Sequence, residues 1–201
     1  MSHDFNDNEL SFDTRNRIIN ETLRLIKENP ETGPTLTEIC GAVGVSKRTF
    51  YYYFRSINDV ICELSHMIDA SVIKTLRDTK RPHNSVIDDI MNIIYAIAGG
   101  MNNYGNSVAS SHYTLLISNQ SRILTFESLP GWRSLIALIT RGKESGELVS
   151  DQSPEDITKC IYYILRGICM TWGIYGGNFD YSTECLKQVD AYLKLLQPKN
   201  A

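Results

Sequence analysis

The residues best equipped for chemistry lie in one short run, Gly44-Val45-Ser46-Lys47-Arg48-Thr49-Phe50-Tyr51-Tyr52-Tyr53-Phe54. From Gly44 to Ser56 the charged side chains are Lys47, Arg48 and Arg55, with no acid among them. Such groups suit nucleic acid. Lys and Arg donate to guanine O6 and N7, a tyrosine hydroxyl donates to phosphate, and its ring touches a thymine methyl or a sugar. Catalytic constellations are missing by comparison. His3, His66, His83 and His112 occur singly, no HExxH or His pair has metal spacing, and neither Gly99-Gly100 nor Gly176-Gly177 opens a P-loop or GxGxxG signature. No enzyme, metal or cofactor is therefore expected. Cys40, Cys62, Cys160, Cys169 and Cys185 form no CxxC pair and read as reduced, buried thiols, with redox sensing as the alternative.

These side chains need elements to present them, and the pattern is helical almost throughout. Ile18, Ile19, Leu23 and Ile26 recur at helical spacing, behind a cap at Asp13 or Thr14 and ahead of Asn29-Pro30. Thr35-Leu36-Thr37-Glu38 fits a capping box, which starts a second helix that can run only to about Val43. Gly44 offers a left-handed exit, and Ser46 caps a third helix that ends near Arg55. Ser56-Ile57-Asn58-Asp59 is another capping box, opening a fourth helix through Val60, Leu64, Met67, Ile68, Val72 and Leu76 to about Asp78. Further helices are expected at 85–102, 107–118, 130–145, 154–175 and 182–196, so the fold class is all-α with about nine helices.

Two short helices joined at a glycine turn make a helix-turn-helix, whose second helix enters the DNA major groove. Lys47 and Arg48 fall in the first turn of that helix and are the expected base readers. Phe50 and Phe54 share a face with Val43 and Val45 nearby, leaving Tyr51, Tyr52 and Tyr53 to face elsewhere. Thr35 and Thr37 can add hydroxyl and backbone N–H contacts to phosphate, and Ser46 and Thr49 complete the expected DNA-binding set. The plainer reading is a helical hairpin with solvated cations and surface tyrosines.

The run Thr35 to Ile61 resembles the N-terminal signature of the TetR/AcrR family of bacterial transcription regulators. Its pattern T-x-x-x-I-A, G-V-S, T-x-Y-x-x-F and S-K-x-x-L is matched at Thr35, Ile39, Gly44, Val45, Ser46, Thr49, Tyr51, Phe54 and Ser56, with Val60 close to Leu. Cys40 stands in place of the usual Ala, and Ile57 in place of a Lys that contacts phosphate; Arg55 is a candidate to compensate. Gly142, Gly146-Glu147-Leu148 and Gly167 to Trp172 resemble looser C-terminal features of the family. The resemblance implies a homodimeric regulator, usually a repressor, that binds a palindromic double-stranded operator and is released by a small molecule. On this reading residues 11–80 form the DNA-binding domain with its connecting helix. Residues 83–201 form the effector-binding and dimerisation domain, separated at Lys80-Arg81-Pro82-His83-Asn84.

Within the second part, the resemblance implies a dimer interface on the last two long helices, for which Ile161, Leu165, Ile168, Leu186, Val189 and Leu193 are the candidates. The stripe Ile157, Cys160, Ile161, Ile164, Leu165, Ile168 and Trp172, widened by Cys169, exceeds what one internal face needs. Glu184, Lys187, Asp190 and Lys194 are left for the wet side of the last helix. Both stripes serving only the subunit's own core is the alternative. Tyr95, Met101, Tyr104, His112, Tyr113, Trp132, Tyr162 and Trp172 are the candidate ligand contacts, suiting an apolar or aromatic effector.

Bulk properties agree with a soluble domain protein. The chain has 201 residues, 42% of them hydrophobic, and a net charge of −3. Asp4, Asp7 and Glu9 crowd the start, so the basic patch sits on an acidic protein. No apolar run approaches the roughly 20 residues of a membrane span, and MSHDFNDNEL lacks an export signal, so a cytoplasmic protein is expected. A ligand- or protein-binding adaptor of the same fold, without sequence-specific DNA binding, is the rival reading.

Overall fold

The computed structural model describes residues 3–78, 85–118 and 129–198, with side chains from Phe12 to Lys74 and throughout the two later stretches. The expected boundary at Lys80 to Asn84, with His83, lies outside the described residues, as do the side chains of His3, Asp4, Asp7, Glu9 and Leu76. Among the described residues there are nine helices and no strand. They divide into two compact units, residues 1–65 and 66–201. The boundary falls inside a helix.

The first unit holds α1 (His3–Glu28), α2 (Leu36–Val43), α3 (Lys47–Tyr53) and the start of α4 (Ile57–Asp78). The cap expected at Asp13 or Thr14 is not where α1 begins. The helix starts at His3, because neither Gly nor Pro interrupts residues 3–28. Ile18, Ile19, Leu23 and Ile26 are buried, as are Ile39, Val43, Phe50, Val60 and Leu64 of the same unit, and α1 packs on α2.

The second unit holds the rest of α4 with α5 (Val86–Tyr104), α6 (Asn106–Ser118), α7 (Pro130–Glu144), α8 (Pro154–Ile174) and α9 (Tyr181–Leu195). Helix α5 packs on α7 and α9, while α8 packs on α6, α7 and α9. The seam is filled by Ile90, Ile93 and Ile94, by Leu135 and Ile139, and by Ile157, Ile161, Leu165, Val189 and Leu193. This corrects the interface expectation. Ile161, Leu165, Val189 and Leu193 hold the subunit's own helices together, Ile161, Val189 and Leu193 at 0% exposure, and Ile168 and Leu186 are half-buried. One apolar stripe per helix is consumed internally, and the face of α8 left open carries Tyr163, Met170 and Ile174.

Loop residues also brace this unit. Glu147, between α7 and α8, accepts the Val86 N–H at 2.7 Å and the Ser85 hydroxyl at 3.0 Å, capping α5 from a distant part of the chain. Its other oxygen accepts the Ser145 hydroxyl at 3.1 Å. Partial burial alone would raise its carboxyl, but these donors and the Arg141 charge hold it below the ordinary value of 4.5. The contribution is therefore present above the ordinary carboxyl range and fades as pH falls through the lower folded value. Removing the cap in Glu147→Ala should cost about 1 kcal/mol and lower the midpoint of thermal unfolding by roughly 3 °C near neutral pH. In scanning calorimetry the difference from the unmodified protein should shrink as pH is taken below the glutamate range.

Candidate nucleic-acid interface

Helix α3 has only seven residues, too few to be stable alone, so its neighbours must define it. The Thr35 side-chain oxygen accepts the Glu38 N–H at 3.3 Å while Glu38 accepts the Thr35 N–H at 2.7 Å, closing the capping box of α2. Helix α2 ends at Gly44, whose φ of 76° is left-handed, and the N–H groups of Gly44 and Val45 both return to the Cys40 carbonyl at 2.9 and 3.0 Å. Two residues later the Ser46 oxygen accepts the Thr49 N–H at 3.0 Å and starts α3. Phe54 stops it in an extended conformation, φ −138° and ψ 137°. Ser56 then accepts the Asp59 N–H at 3.2 Å, and Asp59 accepts the Ser56 N–H at 3.1 Å and the Arg55 N–H at 3.0 Å, which closes a capping box at the start of α4.

One face of α3 is locked. Phe50 is 0% exposed, Phe54 is buried with its ring 5.9 Å from that of Phe50, and Val43 is buried alongside, while Val45 is half-exposed. The Arg15 guanidinium lies 5.1 Å from the Phe54 ring centroid and pairs with Glu63 at 2.9 Å, joining α1 to the start of α4. Arg17 donates to the Val43 carbonyl at 2.6 Å, holding the end of α2. Fixing Phe50 inward turns the remaining side chains outward: Lys47, Arg48, Tyr51 and Tyr52 are exposed, Tyr52 at 79%, and Thr49 and Tyr53 are half-buried. The tyrosine rings brace one another, Tyr52 standing edge-on to Tyr53 at 4.9 Å and Tyr51 edge-on to Phe50 at 5.8 Å.

The local electrostatics break a helix rule. An N-terminal turn favours acids, yet α3 carries Lys47 and Arg48 there and no acid. Both cations stand against the helix dipole and out in solvent, where they add nothing to the stability of α3. Thr35 and Thr37 are exposed beside them, but the Thr35 N–H and hydroxyl are both spent on Glu38, the hydroxyl at 2.7 Å. The Ser46 and Thr49 hydroxyls likewise bond each other at 2.8 Å. Ile57 is half-buried at the first position of α4.

The eight candidate ligand contacts differ in burial. Tyr95 is 63% exposed on α5, whereas Met101, His112, Trp132, Tyr162 and Trp172 are buried and Tyr104 and Tyr113 half-buried. Trp172 is structural: its ring stacks on Tyr181 at 5.1 Å and its indole N–H donates to the Phe179 carbonyl at 3.0 Å. Trp132 meets Tyr162 at 5.5 Å, His112 meets Tyr113 at 5.6 Å, and the Tyr104 hydroxyl donates to Met67 sulfur at 3.9 Å. Tyr113 lines a cavity of about 290 Å³ between α6 and α8 with Ser110, Thr114, Ile117, Cys169, Met170, Gly173 and Ile174. Burial raises the phenols of Tyr113 and Tyr162, keeping both neutral, and pushes the Cys169 and Cys185 thiols up to about 12. Thiols held there are poor redox sensors.

Sequence reasoning missed Asp69, a carboxylate 8% exposed beside Trp132 and Tyr162, which accepts the Gly131 N–H at 2.7 Å. Burial pushes its carboxyl up, against the pull of that N–H and of His66. The signal was an acid placed inside the apolar stripe Leu64, Ile68 and Val72. Among the described residues, no group of three or more His, Cys, Asp or Glu could hold a metal ion, and no helix is long and apolar enough to cross a membrane.

Residues 18–64 match the model of the bacterial regulatory proteins of the tetR family. No protein of curated function matches the chain in sequence. Among solved structures, FadR of Thermus thermophilus, a TetR-family transcriptional repressor in complex with lauroyl-CoA, is 20% identical with a TM-score of 0.67. That similarity covers 93% of this chain and 97% of the other. The fatty acid degradation regulator FadR of Bacillus halodurans is 16% identical, TM-score 0.63, over 89% and 96% of the two chains. A protein solved for the control of antibiotic production by bacterial hormones is 14% identical, TM-score 0.71, over 92% and 98%. In sequence, then, residues 18–64 are similar to the N-terminal segment of tetR-family proteins, and the chain shares the all-helical fold of these solved structures.

The interface geometry depends on the Ser46 cap. Ser46→Ala should lower stability by about 1 kcal/mol in urea unfolding, and Ser46→Asp, which keeps an acceptor for the Thr49 N–H, should recover most of it. Equal losses in both variants would remove the capping role.

Proposed function

We propose that the chain is a ligand-responsive transcription regulator, a repressor that binds a palindromic operator as a homodimer and leaves it when a small molecule binds. The observation that carries this reading is α3 itself, a helix whose buried Phe50 and Phe54 face presents two unopposed cations and two exposed phenols on one outward surface. Lys47 and Arg48 read base edges in the major groove, while Tyr51, Tyr52, Tyr53 and Thr37 position the protein on phosphates. The match of residues 18–64 to the tetR family supports the assignment. Ser46 and Thr35 serve chiefly to hold the helix starts, since their hydroxyls are engaged within the fold.

A palindrome requires two copies, with recognition helices about 34 Å apart. The open face of α8 is the natural contact, because Tyr163, Met170 and Ile174 are exposed. A groove of about 400 Å³ beside them is lined by Tyr163, Ile164, Gly167, Ile168, Thr171, Phe179, Glu184 and Gln188. The effector domain, residues 83–201 with the later part of α4, takes an apolar or aromatic ligand. The T. thermophilus structure with lauroyl-CoA is a precedent for ligand binding in this fold. Effector and DNA must then weaken each other's binding by the same factor.

Ile57 favours a second reading. One phosphate anchor of the family is absent, which an adaptor without DNA binding would tolerate, although Arg55 lies exposed two residues earlier. Selection from random duplex DNA at stated salt separates the two. The regulator should enrich an inverted repeat, and Lys47→Ala with Arg48→Ala should abolish that preference while leaving weak, salt-sensitive binding. Folded protein that enriches no site would establish the adaptor reading instead.

A further inference from the structure

Helices α6 and α8 pack together and border a cavity of about 290 Å³. On α6 its lining residues are Ser110, Tyr113, Thr114 and Ile117, spaced three and four apart and therefore on one helical face. On α8 the wall is Cys169, Met170, Gly173 and Ile174. Glycine is needed at one of these points, because a Cβ on residue 173 would stand 2.5 Å from the Ser110 Oγ.

The lining combines an apolar wall with hydroxyls. Ile117 and Ile174 are 66% and 78% exposed, so an apolar occupant would remove from water a surface that the chain alone leaves wet. Ser110, Thr114 and Tyr113 bring three hydroxyls, and none of the eight lining residues is an acid. The phenol of Tyr113 stands apart from the other two. Burial pushes its titration well up, so it keeps its proton and has an O–H to give, while the Arg166 guanidinium, on α8 three residues before Cys169, hydrogen-bonds to it and pulls the other way. The same phenol hydrogen-bonds to the Cys169 sulfur. Sulfur is a weak acceptor, and a carboxylate oxygen is a far stronger one. An acid in the cavity would therefore take the Tyr113 O–H from the thiol, with a cation behind it.

Volume sets the size of the occupant. About 290 Å³ is the share of roughly ten water molecules in the liquid, which admits about ten non-hydrogen atoms. The walls at Ile117, Met170 and Ile174 carry no aromatic ring, which suits a flexible aliphatic chain.

We propose that the cavity between α6 and α8 binds a compact aliphatic monocarboxylate as effector, its chain against Ile117, Met170 and Ile174 and its carboxylate on the Tyr113 hydroxyl backed by Arg166. This rests on the regulator reading for what binding does to DNA, and it deepens that reading by naming the site and the chemical class of the effector. Met170 and Ile174 also belong to the face assigned to the second copy, so the full chain is the form to test.

Octanoate is the probe, titrated calorimetrically at pH 7, where a carboxylic acid is ionised, with octanamide as its uncharged counterpart. The proposal expects octanoate to bind at least about tenfold more tightly than octanamide, the effect of one charge-assisted hydrogen bond. Tyr113→Phe and Arg166→Gln should each remove that preference while leaving octanamide binding nearly unchanged, a pattern that a merely loosened core would not give. Thr114→Trp, at an exposed position of the lining, should fill the cavity and block both probes. Should Tyr113→Phe or Arg166→Gln fail to fold, Thr114→Trp and Arg166→Lys carry the test, the latter keeping the charge and the preference for the acid. Equal affinity for the two probes, no binding of either, or a preference that survives Tyr113→Phe or Thr114→Trp would overturn the proposal. Bound octanoate should also release a selected operator, and binding without release would overturn its effector role. Protein that selects no operator fails the regulator reading instead, while the calorimetric result still decides the site.

Discussion

The interface rests on the burial of one aromatic side chain. A helix of seven residues cannot persist on its own hydrogen bonds, and α3 exists because Phe50 is fully withdrawn from water, with α3 packed on α2. That burial sets the rotation of the helix. With Phe50 inward, Lys47, Arg48, Tyr51 and Tyr52 have to point outward, so packing and presentation are one event. The contacts around it, Arg15 over Phe54 and onto Glu63, and Arg17 on the Val43 carbonyl, fix the elements on either side.

Against this tightly determined surface the second unit uses distributed braces. Glu147 bonds the start of α5 beside its local Ser85 cap, and Asp69 caps α7, each carboxylate reaching in from a remote segment. Caps supplied from elsewhere tie the integrity of one helix to the position of another. Displacement of one such helix therefore cannot be absorbed locally.

Much of this was legible before any coordinates. Caps at Thr35, Ser46 and Ser56, the left-handed Gly44 and the spacing of Phe50 and Phe54 are local features, and each stands where residue types placed it. The start of α1 was misread because a plausible cap residue does not end a helix that nothing else breaks. The partition of the α8 and α9 stripes was misread for a deeper reason: periodicity reports that a face is buried, not by which neighbour. Ile161, Leu165, Val189 and Leu193 turned out to serve the subunit's own core. The ligand candidates rest on residue type alone, while Asp69 becomes visible only once its partner, Gly131 on another helix, is in place.

The central claim, that the outward face of α3 meets DNA, is tested most directly by amide exchange of the full chain with and without duplex DNA at low salt. The account predicts new protection concentrated in residues 44–56, lost when Lys47 and Arg48 are replaced by alanine. Protection elsewhere, or none at DNA concentrations that bind the protein, would contradict it.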